Sequence, residues 1–276
     1  MVSSEQRRRQ LAREKYERQM ERRAEAASAR KRRNTILGAS LAVVVLAGGG
    51  TLFATGAFSS DDKDKSASAA SSAQAAPTQA DPTAAPTRKP VEGCATPAPG
   101  SPNNKQFKAE PAMSIDQGAS YTMALDSNCG KVTIALDAAK APHTVNSFNF
   151  LAGEQFFDHT KCHRLTTDGI FVLQCGDPTA SGSGGPGYKF ADENLTGATY
   201  PAGTVAMANS GAGTNGSQFF LVYKDTQLPP NYTPFGKITG GLDVVQKIAA
   251  AGTLEGSPDG HPMADVTFNS VTVSKG

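Results

Sequence analysis

Residues 35–58, TILGASLAVVVLAGGGTLFATGAF, carry no charged side chain over 24 positions. A bilayer core needs about 20 consecutive apolar residues, so this run is long enough to span one with some tilt. No neighbouring apolar segment could cover it as the buried helix of a globular fold. Arg30, Lys31, Arg32 and Arg33 stand directly before it, and Asp61 and Asp62 follow soon after. Positive charge stays on the cytoplasmic side, which places the N-terminus inside and the bulk of the chain outside. A cleaved secretory signal ending near Ala54-Thr55-Gly56 is the competing reading. A 34-residue tail is long for the n-region of such a signal, so an uncleaved anchor is favoured. No Cys follows the run closely, which argues against a lipoprotein anchor.

Charge is segregated about this run. Residues 1–34 hold 12 of the 27 Lys+Arg but only 5 of the 25 Asp+Glu. Helix formers dominate there, with Glu5–Arg9 and Glu14–Arg18 at i,i+4 spacing. Leu11, Tyr16 and Met20 form no wide apolar stripe. The segment reads as a solvated cytoplasmic tail, with contact to anionic lipid headgroups as the second reading. Residues 59–112 are Ala, Ser, Pro, Thr and Asp/Lys in low-complexity order. Such a composition buries too little apolar surface to offset ordering entropy. It is expected to be a disordered linker, partly extended by its prolines.

Residues 113–276 change character. Strand-like runs cover Tyr121–Asp126 and Lys131–Leu136 across the turn Ser127–Gly130. A helix candidate has Pro142 near its first turn and Val145, Phe148 and Leu151 at spacings of three. Further strands fit Cys162–Thr166, Phe171–Gln174, Thr204–Ala208, Gln218–Tyr223, Phe235–Ile238 and Val266–Val273, and a second helix fits Leu242–Ala250. Many short strands with two helices make a mainly β domain, a barrel or sandwich with helices at its ends. The domain holds 9 basic and 14 acidic residues, so nucleic acid is not an expected partner.

Three stretches carry the chemistry: Cys162-His-Arg-Leu165 with Phe171-Val-Leu-Gln-Cys-Gly-Asp177; Gly182-Ser-Gly-Gly185 with Phe190-Ala-Asp-Glu-Asn194; and Met207-Ala-Asn209 with Thr214-Asn-Gly-Ser-Gln-Phe-Phe220. In this order, with Phe235-Gly-Lys237 downstream, they closely resemble the cyclophilin family of peptidyl-prolyl isomerases, its membrane-anchored actinobacterial members in particular. The resemblance runs over nearly all of residues 113–276. It implies a closed eight-stranded antiparallel barrel capped by two helices, and isomerisation of X-Pro bonds in extracytoplasmic proteins, in aid of their folding. It implies a monomer that takes proline-containing polypeptides, with no cofactor and no metal. Arg164 matches the catalytic position. Phe171, Val172, Phe220 and Leu228 match the proline pocket, with Tyr232 as a further cover. Gln174 and Gln218 match polar substrate-binding positions, and Gln174 is expected to orient Arg164. Ala208 and Asn209 match the segment that pairs with a bound peptide, and Gly182 a loop beside the pocket.

Two departures stand out. Gln227 occupies a position where many members carry Trp, which puts cyclosporin binding in doubt, and Tyr232 occupies one where His is frequent. A holdase or proline-peptide binding module on the same fold is the rival function. The presence of Arg164 with the pocket aromatics speaks for turnover. A metal site at His159, Cys162, His163 and Cys175 is disfavoured, because Cys162 and His163 are neighbours on a strand and point to opposite faces. The chain also lacks the G-x-S-x-G elbow of a Ser hydrolase. Cys94 has no packing reason to exist in a linker and is expected to tie it to the domain. Arg164 and Gln174 have to share the pocket face of a hairpin. Strict alternation then puts Cys162 and Cys175 on opposite faces, so these two are expected not to pair. At least one of them is left to pair with Cys94 or Cys129, or to stay free.

Overall fold

The computed structural model describes residues 86–276. The tail at 1–34, the apolar run at 35–58 and the first part of the expected linker lie outside the described residues. Among the described residues no helix is long and apolar enough to cross a membrane.

The domain opens with a hairpin of β1 (Tyr121–Ser127) and β2 (Gly130–Leu136). Tyr121, Met123 and Leu125 alternate inward, as do Val132, Ile134 and Leu136, and all six are buried. Helix α1 (Pro142–Gly153) starts on its proline and buries Val145, Phe148 and Leu151. Four short strands follow: β3 (Arg164–Thr166), β4 (Val172–Cys175), β5 (Thr204–Met207) and β6 (Phe219–Val222). Then come β7 (Pro234–Gly240), α2 (Leu242–Ala250), β8 (Asp259–Gly260) and β9 (Phe268–Lys275). Helix α2 buries Val245, Ile248 and Ala249.

These strands form one curled antiparallel sheet in the order β8-β3-β4-β6-β5-β7-β2-β1-β9. It differs from the expected closed eight-stranded barrel in two ways. A ninth, two-residue strand, β8, sits beside β3, and no ladder joins the edge strands β8 and β9. Instead the segment before β3 meets the start of β9. The Cys162 N–H donates to the Val266 carbonyl at 3.0 Å and the Phe268 N–H to the Thr160 carbonyl at 3.0 Å. Aromatic rings fill the interior: Phe148 lies 4.6 Å from Phe235, 5.2 Å from Phe157 and 5.4 Å from Phe219, centroid to centroid.

Strands β4, β5 and β6 read as nearly continuous apolar runs because both of their faces carry packed apolar side chains. Leu173, Cys175, Val205, Met207, Phe219 and Leu221 enter the main core. Val172, Ala206, Phe220 and Val222 form a second, outer cluster with Tyr200.

Residues 86–112 differ from the expected disordered linker: they lie along the domain as a strap without helix or strand. Arg88 Nη1 donates to the Pro262 carbonyl, Asn103 Nδ2 to the Gln155 carbonyl, and the Phe107 N–H to the Pro186 carbonyl at 2.8 Å. The Phe107 ring stands edge-on to Phe150 at 4.9 Å. Composition alone had counted these prolines and small residues as unable to pack. A few anchoring side chains and one covalent bond suffice. That bond is Cys94–Cys129, the tie expected of Cys94.

The second disulfide is Cys162–Cys175, which corrects the expectation that these two do not pair. The assumption of unbroken alternation failed. His163 and Arg164 both face outward in succession, and Cys162, 4% exposed, turns into the core beside Cys175. The β3–β4 ladder covers only Arg164↔Gln174 and Leu165↔Leu173. Beyond it Gly176 takes a left-handed backbone, φ +85°, where a Cβ would collide with the Ser217 carbonyl.

Candidate active site

The outer cluster leaves one side open, and there a cavity of about 430 Å³ forms. Its apolar wall follows from pairing: Val172 opposes Val222, and Phe220 opposes both Gln174 and Ala206. Tyr232 closes the wall, its ring edge-on to Phe220 at 5.6 Å. Its backbone is pinned by Tyr200, whose hydroxyl donates to the Tyr232 carbonyl at 2.8 Å and accepts from the Tyr232 N–H at 3.2 Å.

A polar relay forms the rim. Arg164 Nε and Nη2 donate to the two carboxylate oxygens of Asp259, each at 2.8 Å. Arg164 Nη1 donates to Gln174 Oε1 at 3.1 Å, Gln174 Nε2 to Gln218 Oε1 at 2.9 Å, and Gln218 Nε2 to the Gly184 carbonyl at 2.9 Å. Of the five N–H groups of the guanidinium, these bonds engage three. The Asp259 carboxylate raises the Arg164 pKa further above its ordinary value, against the opposing effect of burial. The charge is therefore fixed in sign and in orientation.

Of the residues singled out in the sequence, Arg164, Val172, Gln174, Gly182, Ala208, Asn209, Phe220, Leu228 and Tyr232 line this cavity. Gln218 lines an adjoining cavity of about 380 Å³ and reaches the first through Gln174. Phe171 is the correction. Val172 and Gln174 hold the outer face of β4, so Phe171 falls on the other side, packed against the main core. Its ring stands 6.0 Å from Tyr223 with Lys224 Nζ 4.4 Å from its centroid. The Ala208 N–H donates to the Gln218 carbonyl at 2.9 Å, which leaves the Ala208 carbonyl and the Asn209 backbone for a peptide. The Asn209 side chain donates to the Asn231 carbonyl at 2.8 Å. Gln227 is exposed beside Leu228 and outside the cavity lining.

Sequence reading missed Ile170, His163, Asp259 and His261, which also line the cavity. Ile170 is even-numbered like Val172 and Gln174, and alternation would have found it. Asp259 lies 95 positions from Arg164 with no local signal. His163 is 8% exposed, and neither ring nitrogen has a hydrogen-bond partner among the described residues. Burial holds its imidazole below the ordinary value, with Asp177 opposing and Arg164 reinforcing that shift.

Comparison with known proteins agrees with this architecture. The family model described as cyclophilin type peptidyl-prolyl cis-trans isomerase/CLD matches residues 121–273. The chain belongs to that family. A probable peptidyl-prolyl cis-trans isomerase B of Mycobacterium leprae is 50% identical over 167 residues, 55% of this chain and 57% of that protein. The chain thus spans somewhat more than half the length of this mycobacterial relative. Peptidyl-prolyl cis-trans isomerase B of Streptomyces anulatus is 41% identical over 169 residues, covering 54% of this chain and 94% of its own. A cyclophilin type peptidyl-prolyl cis-trans isomerase of Cryptosporidium parvum superposes with TM-score 0.51 at 25% identity, over 57% of this chain and 99% of its own. A crystal structure of that protein in the presence of the dipeptide Ala-Pro has TM-score 0.50.

Proposed function

We propose that this chain is a peptidyl-prolyl cis-trans isomerase that assists the folding of extracytoplasmic proteins. The observation that carries this reading is a guanidinium fixed by Asp259 and Gln174 at the rim of a cavity that has Val172, Phe220, Leu228 and Tyr232 in its lining. An amide resists rotation by about 18–20 kcal/mol because the nitrogen lone pair is delocalised. In the twisted transition state that lone pair localises and becomes an acceptor. The Arg164 N–H groups not held by Asp259 and Gln174 are donors for it, preorganised where the charge develops. Val172, Phe220, Leu228 and Tyr232 seat the proline and exclude water, which strengthens the contact. The Ala208 carbonyl and the Asn209 backbone hold the flanking peptide as an added strand. No proton transfer, nucleophile or metal enters this step. The Ala-Pro dipeptide used with the Cryptosporidium relative supports a proline-bearing substrate for the same fold.

The extracytoplasmic placement rests on the charge-free run at 35–58 and the basic cluster before it. The two disulfides fit an oxidising compartment. Protease added to intact protoplasts should release the domain by cutting between residues 59 and 85; protection from the protease would refute the placement. For the chemistry, the full chain should accelerate a proline-limited refolding reaction, and chelator should not change the rate. Arg164→Ala should lower kcat/KM about 10²–10³-fold, the worth of one preorganised donor, with little loss of stability. Near-unchanged turnover in that variant would refute the mechanism. Peptide binding without any acceleration would leave a binding module.

A further inference from the structure

Arg164 stands on a weakly held strand. β3 has three residues, and it pairs with β4 over two positions and with the two-residue β8 over two. Strand β4, which carries Gln174, is paired with β6 along its whole length, from Val172↔Val222 to Cys175↔Phe219. The relay thus joins a firmly paired strand to a loosely paired one, and the guanidinium is on the loose side.

The pairing of β3 with β4 also stops at the catalytic residue. Arg164↔Gln174 is the last rung of that ladder, and the two segments meet again only at the lone bridge Lys161↔Asp177. In the gap between, His163 and Arg164 face outward in succession and Gly176 takes its left-handed backbone. One backbone bond crosses the gap, from the His163 N–H to the Gln174 carbonyl at 3.0 Å. The His163 ring adds none, since neither of its nitrogens has a partner among the described residues. The disulfide crosses the same gap: Cys162 is two residues before Arg164, and Cys175 directly follows Gln174. Both cysteines are buried in the main core, and neither lines the cavity.

We propose that Cys162 and Cys175 are positioning residues of the isomerase: their bond lends β3 the rigidity of β4 and so holds Arg164 in line with Gln174. Arg164 is then fully positioned only when this pair is oxidised. This rests on the reading of Arg164 as the catalytic donor. Neither sulfur faces the substrate, so the bond acts on the rate through the guanidinium. The proline wall does not depend on β3. Val172 and Phe220 are paired between β4 and β6, and Tyr232 is pinned by Tyr200.

The test uses the full chain with Cys94→Ser and Cys129→Ser, which leaves one disulfide. It is unfolded in urea with dithiothreitol, which becomes a cyclic disulfide as it reduces the pair to two thiols. It is then refolded in dithiothreitol or in oxidised glutathione, which closes the bond and leaves as two molecules of glutathione. Thiol titration and circular dichroism establish the redox state and the fold of each form. The dithiol form should keep its KM for an Ala-Pro peptide and lose about tenfold in kcat, the scale of a slightly misplaced group. Re-oxidation should restore the rate. Cys162→Ala with Cys175→Ala should match the dithiol form. In an Arg164→Ala background, opening the bond should lower kcat no further, a non-additivity that a purely stabilising bond does not produce. The chain that lacks only Cys94–Cys129 should keep the kcat of the wild type. Equal kcat in the oxidised and dithiol forms would overturn the proposal and leave the isomerase reading standing. So would a loss confined to KM, or a tenfold loss that persists without Arg164. Failure of both the dithiol form and the alanine pair to fold would make the bond a requirement of the fold and overturn the positioning role. A wild type that binds the peptide but never turns it over would refute the isomerase reading, and the proposal with it.

Discussion

The two faces of β4, β5 and β6 both carry buried apolar side chains, yet they serve different ends. Inward, Leu173, Val205, Met207, Phe219 and Leu221 join a core packed on all sides by the rings of Phe148, Phe157 and Phe235. Outward, Val172, Ala206, Phe220 and Val222 pack with Tyr200 in a cluster of five buried residues whose remaining side is the cavity. Apolar character alone does not separate the faces. What separates them is the covering: side chains on one side, and on the other an open volume with a polar relay at its rim. The inner face should therefore determine stability and the outer face binding.

Neighbouring phenylalanines test that division most directly. Phe219→Ala should cost about 3–5 kcal/mol of stability, since the rings around it cannot collapse into the void. Phe220→Ala should cost less, about 1.5–3 kcal/mol, because its void opens into an existing cavity, but it should abolish most peptide affinity. Denaturant unfolding and peptide titration on both variants check this. Equal stability losses with binding intact in both would erase the distinction.

A smaller effect is expected at the rim. Asp259→Asn removes the charge that holds Arg164 while keeping an acceptor. The pair is solvated, with side-chain exposures of 37% and 57%, so stability should change by less than about 1 kcal/mol. Turnover should fall about tenfold, the equivalent of about 1.4 kcal/mol of lost orientation. The loss should appear in kcat and leave KM nearly unchanged, because Asp259 acts on the substrate through Arg164. A rise in KM at constant kcat would instead make Asp259 a substrate contact.

These residues also mark what could be read in advance. Helix α2 is Leu242–Ala250, the range expected of it, and alternation gives the inward residues of β1 and β2. Regular periods report regular packing, so they succeed where the backbone is regular. The site is legible where a strand carries it, as at Val172, Gln174 and Phe220. It is illegible where long range or irregular backbone decides. Phe171 packs against the main core and not in the cavity, a difference that only the register of β4 reveals. Asp259 reaches Arg164 only because β8 pairs with β3. The Cys162–Cys175 bond depends on two successive outward residues, which no period of two contains. The strap at 86–112 follows from anchors such as Phe107 and Cys94, which composition averages away.

The smallest effect concerns acid, and it too should separate the faces. The inner face of β4–β6 carries no titratable side chain, since Cys175 is in a disulfide. Beside the outer face lies His163, buried, with its pKa lowered chiefly by burial and also by Arg164 and His261, while Asp177 opposes the shift. A lowered folded value means that, as the pH falls below about 6.5, the unfolded chain takes the proton first. The His163 contribution to stability is thus fully present above that pH and is lost on acidification through it. His163→Gln keeps a polar side chain and cannot titrate. Between pH 7.5 and 5 the wild type should lose stability relative to this variant. Peptide affinity should hold in both proteins until the pH falls to the lowered folded value, because the folded imidazole stays neutral above it. Urea midpoints and peptide titrations across that range check both effects. Parallel profiles for the two proteins would mean that His163 does not titrate between folded and unfolded states, and the acid response would then have to be sought elsewhere. His143 cannot supply it: its pKa is raised by its bond to Glu110, so its stabilisation runs in the opposite direction, present in acid and lost as the pH rises.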